Sequence, residues 1–442
     1  MEKITKQEFE AIYTDKLTAK QRLVLREFLQ GKRYKTIAKS LEIKPNTVCS
    51  HISTICHSFN IKNEAGGGNT QRDELILLFV KYKAELVCEK LLEEYGKGTP
   101  EPRKRLEVPE GPVRLNSEFY IERSRMEADC YEQILGRGSM IRIKAPKLMG
   151  KTSLLNRIME HAKTKDYRLV RLDFRDAETE IFSNLNKFFH WFCLNISQQL
   201  KLESNIDKYL QGRGGILVNC KNYFQAEVLE VIDCPLVLAL EEIDCIFSYE
   251  EIARNFLSML RSWFDETTKT DIWEKLRMVL LHSTNVYVQL DVNQSPFNVG
   301  FPVELTEFSE QNILDLARRH QLSWGTDEVA ALMAMIGGYP YLVRKALYHL
   351  KDSNLSLADI LEKAATNEGI YAKHLQGQWA DVQNYSELKA ALKQVVSADS
   401  AVTLEPVLEF KLLSMGLVKQ NQHDITPSCR LYGDYFAEKF RD

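Results

Sequence analysis

Apolar and polar positions follow three regimes along the chain. Between residues 17 and 61 apolar side chains recur at helical spacing: Leu23, Leu25, Phe28 and Leu29, then Tyr34, Ile37, Ala38 and Leu41, then, beyond Pro45, Val48, Ile52, Ile55 and Phe59. Spacings of three and four put each group on one face of a short helix, with Gly31 and the turn at 42–44 as the breaks. A further helix is predicted over 72–95, with Leu75, Leu78, Phe79, Leu86 and Leu91 on one side. From 140 to 305 the pattern changes to short continuous apolar runs, at 140–143, 167–174, 235–247, 276–281 and 303–305. Runs without alternation mark parallel strands buried on both faces. The stretch 181–200 reads as a helix whose Phe188, Phe189, Trp191 and Phe192 belong to the core. Helical periodicity then returns at 310–320, 326–336, 342–350, 386–396 and 404–415, followed by Gly416, a strand at 418–420, a polar turn and Ile425. Helix, glycine, strand, turn, strand reads as a winged helix.

The expected fold class is therefore multidomain and α/β overall. An all-α helix-turn-helix domain occupies 1–95 and a linker rich in Pro, Gly and charge 96–112. An α/β core with a parallel sheet fills 113–309, a helical lid 310–372 and a winged-helix-like domain 373–442. The 442 residues suit roughly two to four domains. A net charge of −3 gives no global pull toward nucleic acid or an anionic membrane, so any basic surface is local. The nine cysteines are odd in number and contain no CxxC pair, which suits a reducing cytosol better than a disulfide framework. The charged start MEKITKQEFE lacks the apolar stretch of a signal peptide, and no apolar run is long enough to span a bilayer. A cytoplasmic protein without membrane contact is expected.

The chemistry concentrates in IRIKAPKLMGKTSLL, residues 141–155. A strand runs into a loop ending Gly150-Lys151-Thr152-Ser153, and a helix follows. This is the order of a phosphate-binding loop. In such a P-loop NTPase core the segment with Ala145, Pro146, Met149, Gly150, Lys151, Thr152 and Ser153 wraps a polyphosphate with its bare backbone N–H groups, Lys151 reaches its outer phosphates, and the Thr152 hydroxyl ligates Mg²⁺. Ala145 stands where the full GxxxxGK[ST] pattern has its first glycine. The run PLVLALEEIDCIF then ends a buried strand in Glu241-Glu242, at the carboxyl edge where such sheets bind ligands. Asp then Glu is usual here. Glu241 takes the metal-holding place, one methylene longer than aspartate, and Glu242 is the candidate general base. Asp244 is expected to cap the next helix or pair locally, and Arg254 and Arg261 to be surface arginines.

Residues 17–61 resemble the LuxR-type helix-turn-helix family, matching at Leu17, Thr18, Leu25, Gly31, Ile37, Ala38, Leu41, Ile43, Thr47, Val48 and His51. The resemblance implies that the third helix enters a DNA major groove. One departure stands out: 45–60 contains no Lys, Arg, Asp or Glu, and Cys49 and Ser58 lie where the family commonly has lysine. The cations stand before it, at Lys32, Arg33, Lys35, Lys39 and Lys44, and residues 1–65 carry 12 cationic against 7 acidic side chains. Phosphate contacts would come from Lys32, Lys35 and Lys44, and base contacts from Asn46, Thr47 and Ser50. Docking onto a partner protein is the alternative.

From Asn116 onward, the segments around Phe119–Arg123, IKAPKLMGKTSLL, LALEEIDCIF, HSTNVYV, SPFNVGFPVEL, GGYPYLVRKALYHL and LYGDYF resemble the AAA-like ATPase domain. That family is found mainly in cyanobacteria and is related to the signal-transduction ATPases with numerous domains; some relatives are associated with von Willebrand and MoxR proteins and with conflict or defence systems. The resemblance implies that Tyr120 and Arg123 cover the adenine and that Ser283, Thr284 or Asn285 senses the γ-phosphate. It also implies that Pro340 approaches the base and Arg344 senses phosphate. Two functions follow. One is an ATP- and Mg²⁺-dependent regulatory switch, possessing an effector protein partner, DNA contact through the amino-terminal domain, and self-association. The other is a low-turnover, nucleotide-stabilised adaptor whose helix-turn-helix docks a partner protein.

Overall fold

The computed structural model describes residues 6–61, 71–95, 106–123, 125–203, 205–283, 295–353, 355–398, 400–422 and 424–441. It divides into two units, Met1–Glu107 and Val108–Asp442.

The first unit is helical. Helix α1 (Lys6–Ala11) precedes α2 (Ala19–Leu29), α3 (Tyr34–Ser40), α4 (Pro45–Ser58), α5 (Gln71–Tyr82) and α6 (Glu89–Tyr95). Thr18 and Gln21 close a reciprocal capping box on α2 at 2.8 and 3.2 Å, satisfying two amides that the helix start leaves open. Val24, Leu25, Phe28, Ile37, Val48, Ile52 and Ile55 form the core of the three-helix motif. Leu23, expected in that core, is instead 52% exposed, and Val24 takes the inward place. Helix α5 packs on the motif: Phe79 lies against Phe9 and Phe59, and the Arg72 guanidinium stands 4.9 Å over the Phe28 ring. The single helix expected over 72–95 is broken at Lys83–Cys88. Those residues turn to bond α2 instead, with Cys88 N donating to Leu29 O at 3.0 Å and Gln30 Nε2 to Leu86 O at 3.1 Å.

The second unit is built on five parallel strands: β1 (Met140–Lys144), β2 (Arg168–Asp173), β3 (Leu236–Glu241), β4 (Leu276–His282) and β5 (Phe301–Glu304), ordered β2-β3-β4-β1-β5. Strands β3 and β4 are buried at every residue, in keeping with runs that are apolar apart from Arg277, His282 and the terminal Glu241. Helices α7 (Met126–Leu135) and α8 (Lys151–Lys163) flank the start of the sheet. Across 185–266 come α9 (Leu185–Leu200), α10 (Ile206–Leu210), α11 (Ile216–Tyr223) and α12 (Glu250–Glu266). Their aromatic side chains form a continuous core with alternate residues of β2, β3 and β4. Phe192 meets Phe256 at 5.1 Å, and Trp263 stacks on Phe224 at 4.3 Å. Phe188, Phe189 and Phe192 are thus core. Helix α9 starts later than expected because the Asn184 side chain caps it, accepting from the amides of Asn186 and Lys187. At the open edge of the sheet Gln199 of α9 closes β2 like a short neighbouring strand, exchanging bonds of 2.9 and 2.8 Å with the Arg171 main chain.

The rest of the unit is helical apart from one hairpin. It comprises α13 (Glu310–Arg319), α14 (Thr326–Ile336), α15 (Pro340–Asp352), α16 (Leu357–Glu362), α17 (Ala372–Gln383), α18 (Ser386–Ser397) and α19 (Pro406–Met415). The antiparallel pair β6 (Val418–Asn421) and β7 (Asp424–Pro427) follows, then α20 (Arg430–Lys439). Gly338, in the GGYP turn, accepts a backbone bond from Phe308 at 2.8 Å. Among the described residues, no helix is long and apolar enough to cross a membrane.

The Gly338 turn is packed so tightly that a side-chain carbon there would lie 2.2 Å from Phe308 O. Gly338→Ala is expected to lower unfolding free energy by about 2–3 kcal/mol, the cost of forcing an atom into a filled site. Gly377, exposed inside α17 with nothing within 4 Å of the place a Cβ would take, is the control. Gly377→Ala should leave stability unchanged or raise it by about 0.5–1 kcal/mol in urea titrations.

Candidate functional site

The site lies at the carboxyl edge of the sheet, where β1 and β3 end beside the start of α8. Lys144 ends β1, and the loop 145–150 returns the chain to α8 through two left-handed residues, Leu148 at φ 67° and Gly150 at φ 99°. Glycine accepts that conformation without penalty, and Gly150 also faces the Arg123 guanidinium, 3.6 Å from where a Cβ would stand. Lys151 is 7% exposed, and its ammonium donates to Ala145 O at 2.6 Å and Pro146 O at 3.1 Å. Burial pulls its pKa below the usual lysine range, while Glu242, Asp244 and Glu241 act in the opposite sense. An ammonium held on neutral carbonyls at the mouth of a helix N-terminus is a donor set suited to phosphate oxygens.

Thr152 donates to Glu241 Oε2 at 2.9 Å, joining the first turn of α8 to the end of β3. Glu241 is 1% exposed, and its other oxygen accepts from Arg171 Nε of β2. Arg171 Nη1 also donates to Asn156 Oδ1 at 2.9 Å. A hydroxyl beside a carboxylate suits a hydrated Mg²⁺, so the pair fits that ion, with one carboxylate oxygen already engaged by an arginine. Glu242 turns the chain out of β3 in the left-handed region, at φ 53° and ψ 40°. The turn separates the two glutamates: Glu241 points into the Thr152–Arg171 network, and Glu242 is the largest of the charges that favour protonated Lys151. Asp244 does not cap a helix but accepts the Ser283 amide at 2.8 and 3.1 Å, and burial raises its pKa.

The other candidates occupy two neighbouring layers. Ser283 is 2% exposed at the end of β4, beside Asp244, whereas Thr284 and Asn285 lie outside the described residues. The Ser153 hydroxyl faces away from the loop and accepts the Val113 amide at 2.9 Å. Arg123 Nη2 donates to Met149 O at 2.7 Å, so it braces the loop from above. The Tyr120 hydroxyl donates to Glu127 Oε1 at 2.7 Å, with its ring under the Arg157 guanidinium. Pro340 opens α15. Arg344, on the same helix, is buried with its guanidinium 5.7 Å over the Phe119 ring. The carboxyl-terminal elements reach the loop directly: Lys147 N donates to Ser414 O of α19 at 3.1 Å, and Tyr339 OH to Gly416 O at 3.0 Å. Arg254 pairs with Glu250, and Arg261 with Asp265 at 3.0 Å.

Sequence reasoning passed over Arg171, Asn156 and the Arg175–Asp173 pair at the end of β2, whose Nε–Oδ1 distance is 2.9 Å. A signal existed. In RLVRLDF the polar Arg171 and Asp173 alternate with Val170 and Leu172, so both polar side chains share the face that carries α8.

Among the amino-terminal candidates, Lys35, Lys44, Asn46 and Ser50 are exposed and Thr47 is half-buried, whereas Lys32 is paired with Glu27 at 2.6 Å. The solvent side of α4 (Asn46, Cys49, Ser50, Ser53, Thr54 and His57) carries no carboxylate, lysine or arginine.

A five-stranded parallel sheet ordered β2-β3-β4-β1-β5, with a glycine-hinged loop entering a helix at its carboxyl edge, defines a P-loop NTPase fold. The chain belongs to the AAA-like domain family, which matches residues 108–438, and residues 15–66 match the luxR family of bacterial regulatory proteins. No curated protein matches the sequence. Among solved structures, the Walker-type ATPase of Pyrococcus abyssi is similar over 75% of this chain and 99% of its own, at 14% identity and a TM-score of 0.52. The Aeropyrum pernix ORC2 protein, in its ADPNP–ADP complexes, is similar over 75% and 99%, at 15% identity and a TM-score of 0.43. A signal-transduction ATPase with a tetratricopeptide repeat sensor from Pyrococcus horikoshii is similar over 76% of this chain and 44% of its own, at 13% identity and a TM-score of 0.34. At 14% identity, the likeness to the Pyrococcus abyssi ATPase is one of fold alone.

Near the Arg344 layer, His320 is 1% exposed, lies tilted against the Phe119 ring at 4.3 Å and bonds Leu316 O at 2.8 Å. Burial, aided by the Arg344 charge and opposed by Glu118, lowers its pKa from 6.5 to about 4. An unfolded chain protonates there near pH 6.5 and the folded one near pH 4, so the folded state loses stability as pH falls through that window. The loss should approach about 3 kcal/mol. His374, likewise lowered to about 4, adds to it. His320→Asn should make urea midpoints fall less steeply between about pH 7 and about pH 4.5, with His374 keeping part of the slope. An unchanged slope would show that His320 titrates in the folded chain as it does in the unfolded one.

Proposed function

We propose that the chain binds ATP at the loop 145–152 and acts as a nucleotide-dependent regulatory switch. The observation that carries this reading is the buried Lys151 ammonium, resting on two loop carbonyls with Glu242 and Asp244 close by. Lys151 would move from those carbonyls to phosphate oxygens, stronger acceptors because they are charged. Arg123 would keep the loop in shape through Met149 O. Thr152 and Glu241 would hold Mg²⁺, which supplies neutralisation of phosphate charge. Glu242 would take the proton of an attacking water at its carboxylate. Ser283, Tyr120, Pro340 and Arg344 remain the candidates for reading the γ-phosphate and the base, and 310–372 and 373–442 the candidate lid and winged-helix domain.

A route from loop to output also exists. On this reading a phosphate in the loop would also call on the Lys147 amide, which is already spent on Ser414 O. Nucleotide and α19 therefore compete for one donor, and binding would loosen the carboxyl-terminal segment. On this reading the chain is a cytoplasmic regulator working through an effector protein or a further copy of itself. The luxR-type unit would contact DNA with Lys35 and Lys44 on phosphates and Asn46, Thr47 and Ser50 on base edges, or would dock a partner through the uncharged side of α4.

The second reading, a low-turnover adaptor, is favoured by one feature: both oxygens of Glu241 are engaged, one by Arg171. Turnover of the purified chain separates the two. For the switch, Lys151→Ala should weaken ATP binding about a hundredfold, as loss of charge-assisted bonds implies. Glu242→Gln should keep binding and cut hydrolysis about 10²–10⁴-fold. Hydrolysis indistinguishable from that of Glu242→Gln in the unaltered chain would favour the adaptor. Binding unaffected by Lys151→Ala would overturn both.

A further inference from the structure

Glu241 and Arg171 form an ion pair that the ordinary chemistry of a phosphate loop does not call for. The pleat of β2 places Arg171 on the α8 face, two residues before Asp173, which sits opposite Glu241 across β2 and β3. Its guanidinium is held twice, by Glu241 and by Asn156 Oδ1 at 2.9 Å, and its main chain is held by the Gln199 side chain. An arginine fixed at both ends is preorganised and loses little freedom when a ligand arrives. Glu241 is out of water, so without Arg171 it would be a buried charge with only a hydroxyl for company.

The pair changes the field felt at Thr152. A free carboxylate attracts a divalent cation and repels polyphosphate. A carboxylate paired with a guanidinium does both more weakly, so it can still share a metal ion, and the guanidinium's outer edge, on a side chain 39% exposed, leaves a local positive end at the carboxyl edge of the sheet. Arg175, held by Asp173 and stabilised as a cation by Glu242 and Glu241, adds to it at the same edge. We propose that Arg171 is a built-in counter-charge that takes over part of the work of Mg²⁺, so that this site holds adenine nucleotide with little dependence on divalent metal. The inference rests on nucleotide binding at the loop and concerns what that binding requires.

The test is calorimetric titration of the full chain with ADP, once in excess Mg²⁺ and once in excess EDTA, for the native protein and three variants. The native dissociation constant should change less than about threefold on metal removal. Arg171→Gln uncovers the Glu241 charge, and its ratio should rise to about tenfold or more, as expected for one uncompensated charge near a cation site. Arg171→Lys should stay near the native ratio. The double variant Arg171→Gln/Glu241→Gln removes both charges together and should also stay near it. If Arg171→Gln alone fails to fold, the native ratio itself decides the matter. A native ratio above about tenfold, or equal ratios in the native chain and Arg171→Gln, overturns the inference while leaving nucleotide binding intact. ADP heat absent with and without metal overturns the proposed function and this inference together.

Discussion

The Glu241 carboxylate is almost wholly removed from water, and a charge so placed is tolerated only when its partners cannot drift. Three groups hold it in place. Helix α8 gives the Thr152 hydroxyl, β2 gives Arg171, and Asn156, one turn further along α8, holds Arg171 from the other side. The edge strand, the neighbouring strand and the helix that starts at the loop are therefore locked in register by one buried group. Removing a single partner from such a network costs about 3–5 kcal/mol, because the charge stays behind. The position of Lys151 inherits that rigidity, since it opens the same helix one residue before Thr152.

What the chain announces in its sequence is what local pattern can carry. Strands β3 and β4 are legible because their runs are almost wholly apolar and every residue is buried, and the loop is legible because Gly150, Lys151 and Thr152 adjoin. Glu241 and Glu242 could be placed at a strand end by counting along one segment. The Arg171–Glu241 pair could not, because its partners are 70 residues apart and meet only when β2 lies beside β3. The break after Tyr82 has a similar cause. Residues 83–88 have a serviceable helical pattern, but the amide of Cys88 and the carbonyl of Leu86 find partners at the end of α2. Leu23 shows the limit of periodicity: Leu23, Val24 and Leu25 are all apolar, and only packing decides which one faces out.

The amino-terminal unit raises a separate question of charge. A recognition helix gains most of its affinity from neutralising phosphates. The outer side of α4 has nothing with which to do so, and Lys32, the cation nearest the end of α2, is engaged by Glu27. Lys35, Lys39 and Lys44 stay exposed on α3 and at the start of α4. A duplex held by these three alone would be gripped from one side of the motif, and weakly at physiological salt. A protein surface sees a different prospect, an uncharged face of small polar side chains with little desolvation cost. The electrostatics thus make salt dependence the property by which the two partners differ most.

The carboxyl-terminal segment bears on the loop through one carbonyl that is used twice. Gly416 O accepts from Tyr339 OH at 3.0 Å and from Ser428 Oγ at 2.6 Å, which ties the GGYP turn, the end of α19 and the end of the β6–β7 hairpin to one point. Two residues earlier, Ser414 O takes the Lys147 amide. Gly416 itself is left-handed at φ 76°, and a Cβ there would lie 3.1 Å from the Tyr339 hydroxyl and 3.4 Å from Pro146 Cβ. The loop, the turn and the hairpin therefore share a junction with no slack for a side chain. Under the proposed function, a phosphate claiming the Lys147 amide does not merely break one bond. It removes the main-chain bond that joins the loop to the junction while the bonds at Gly416 O keep turn, helix and hairpin in one piece, so a local change of acceptor becomes a displacement of helix and hairpin together.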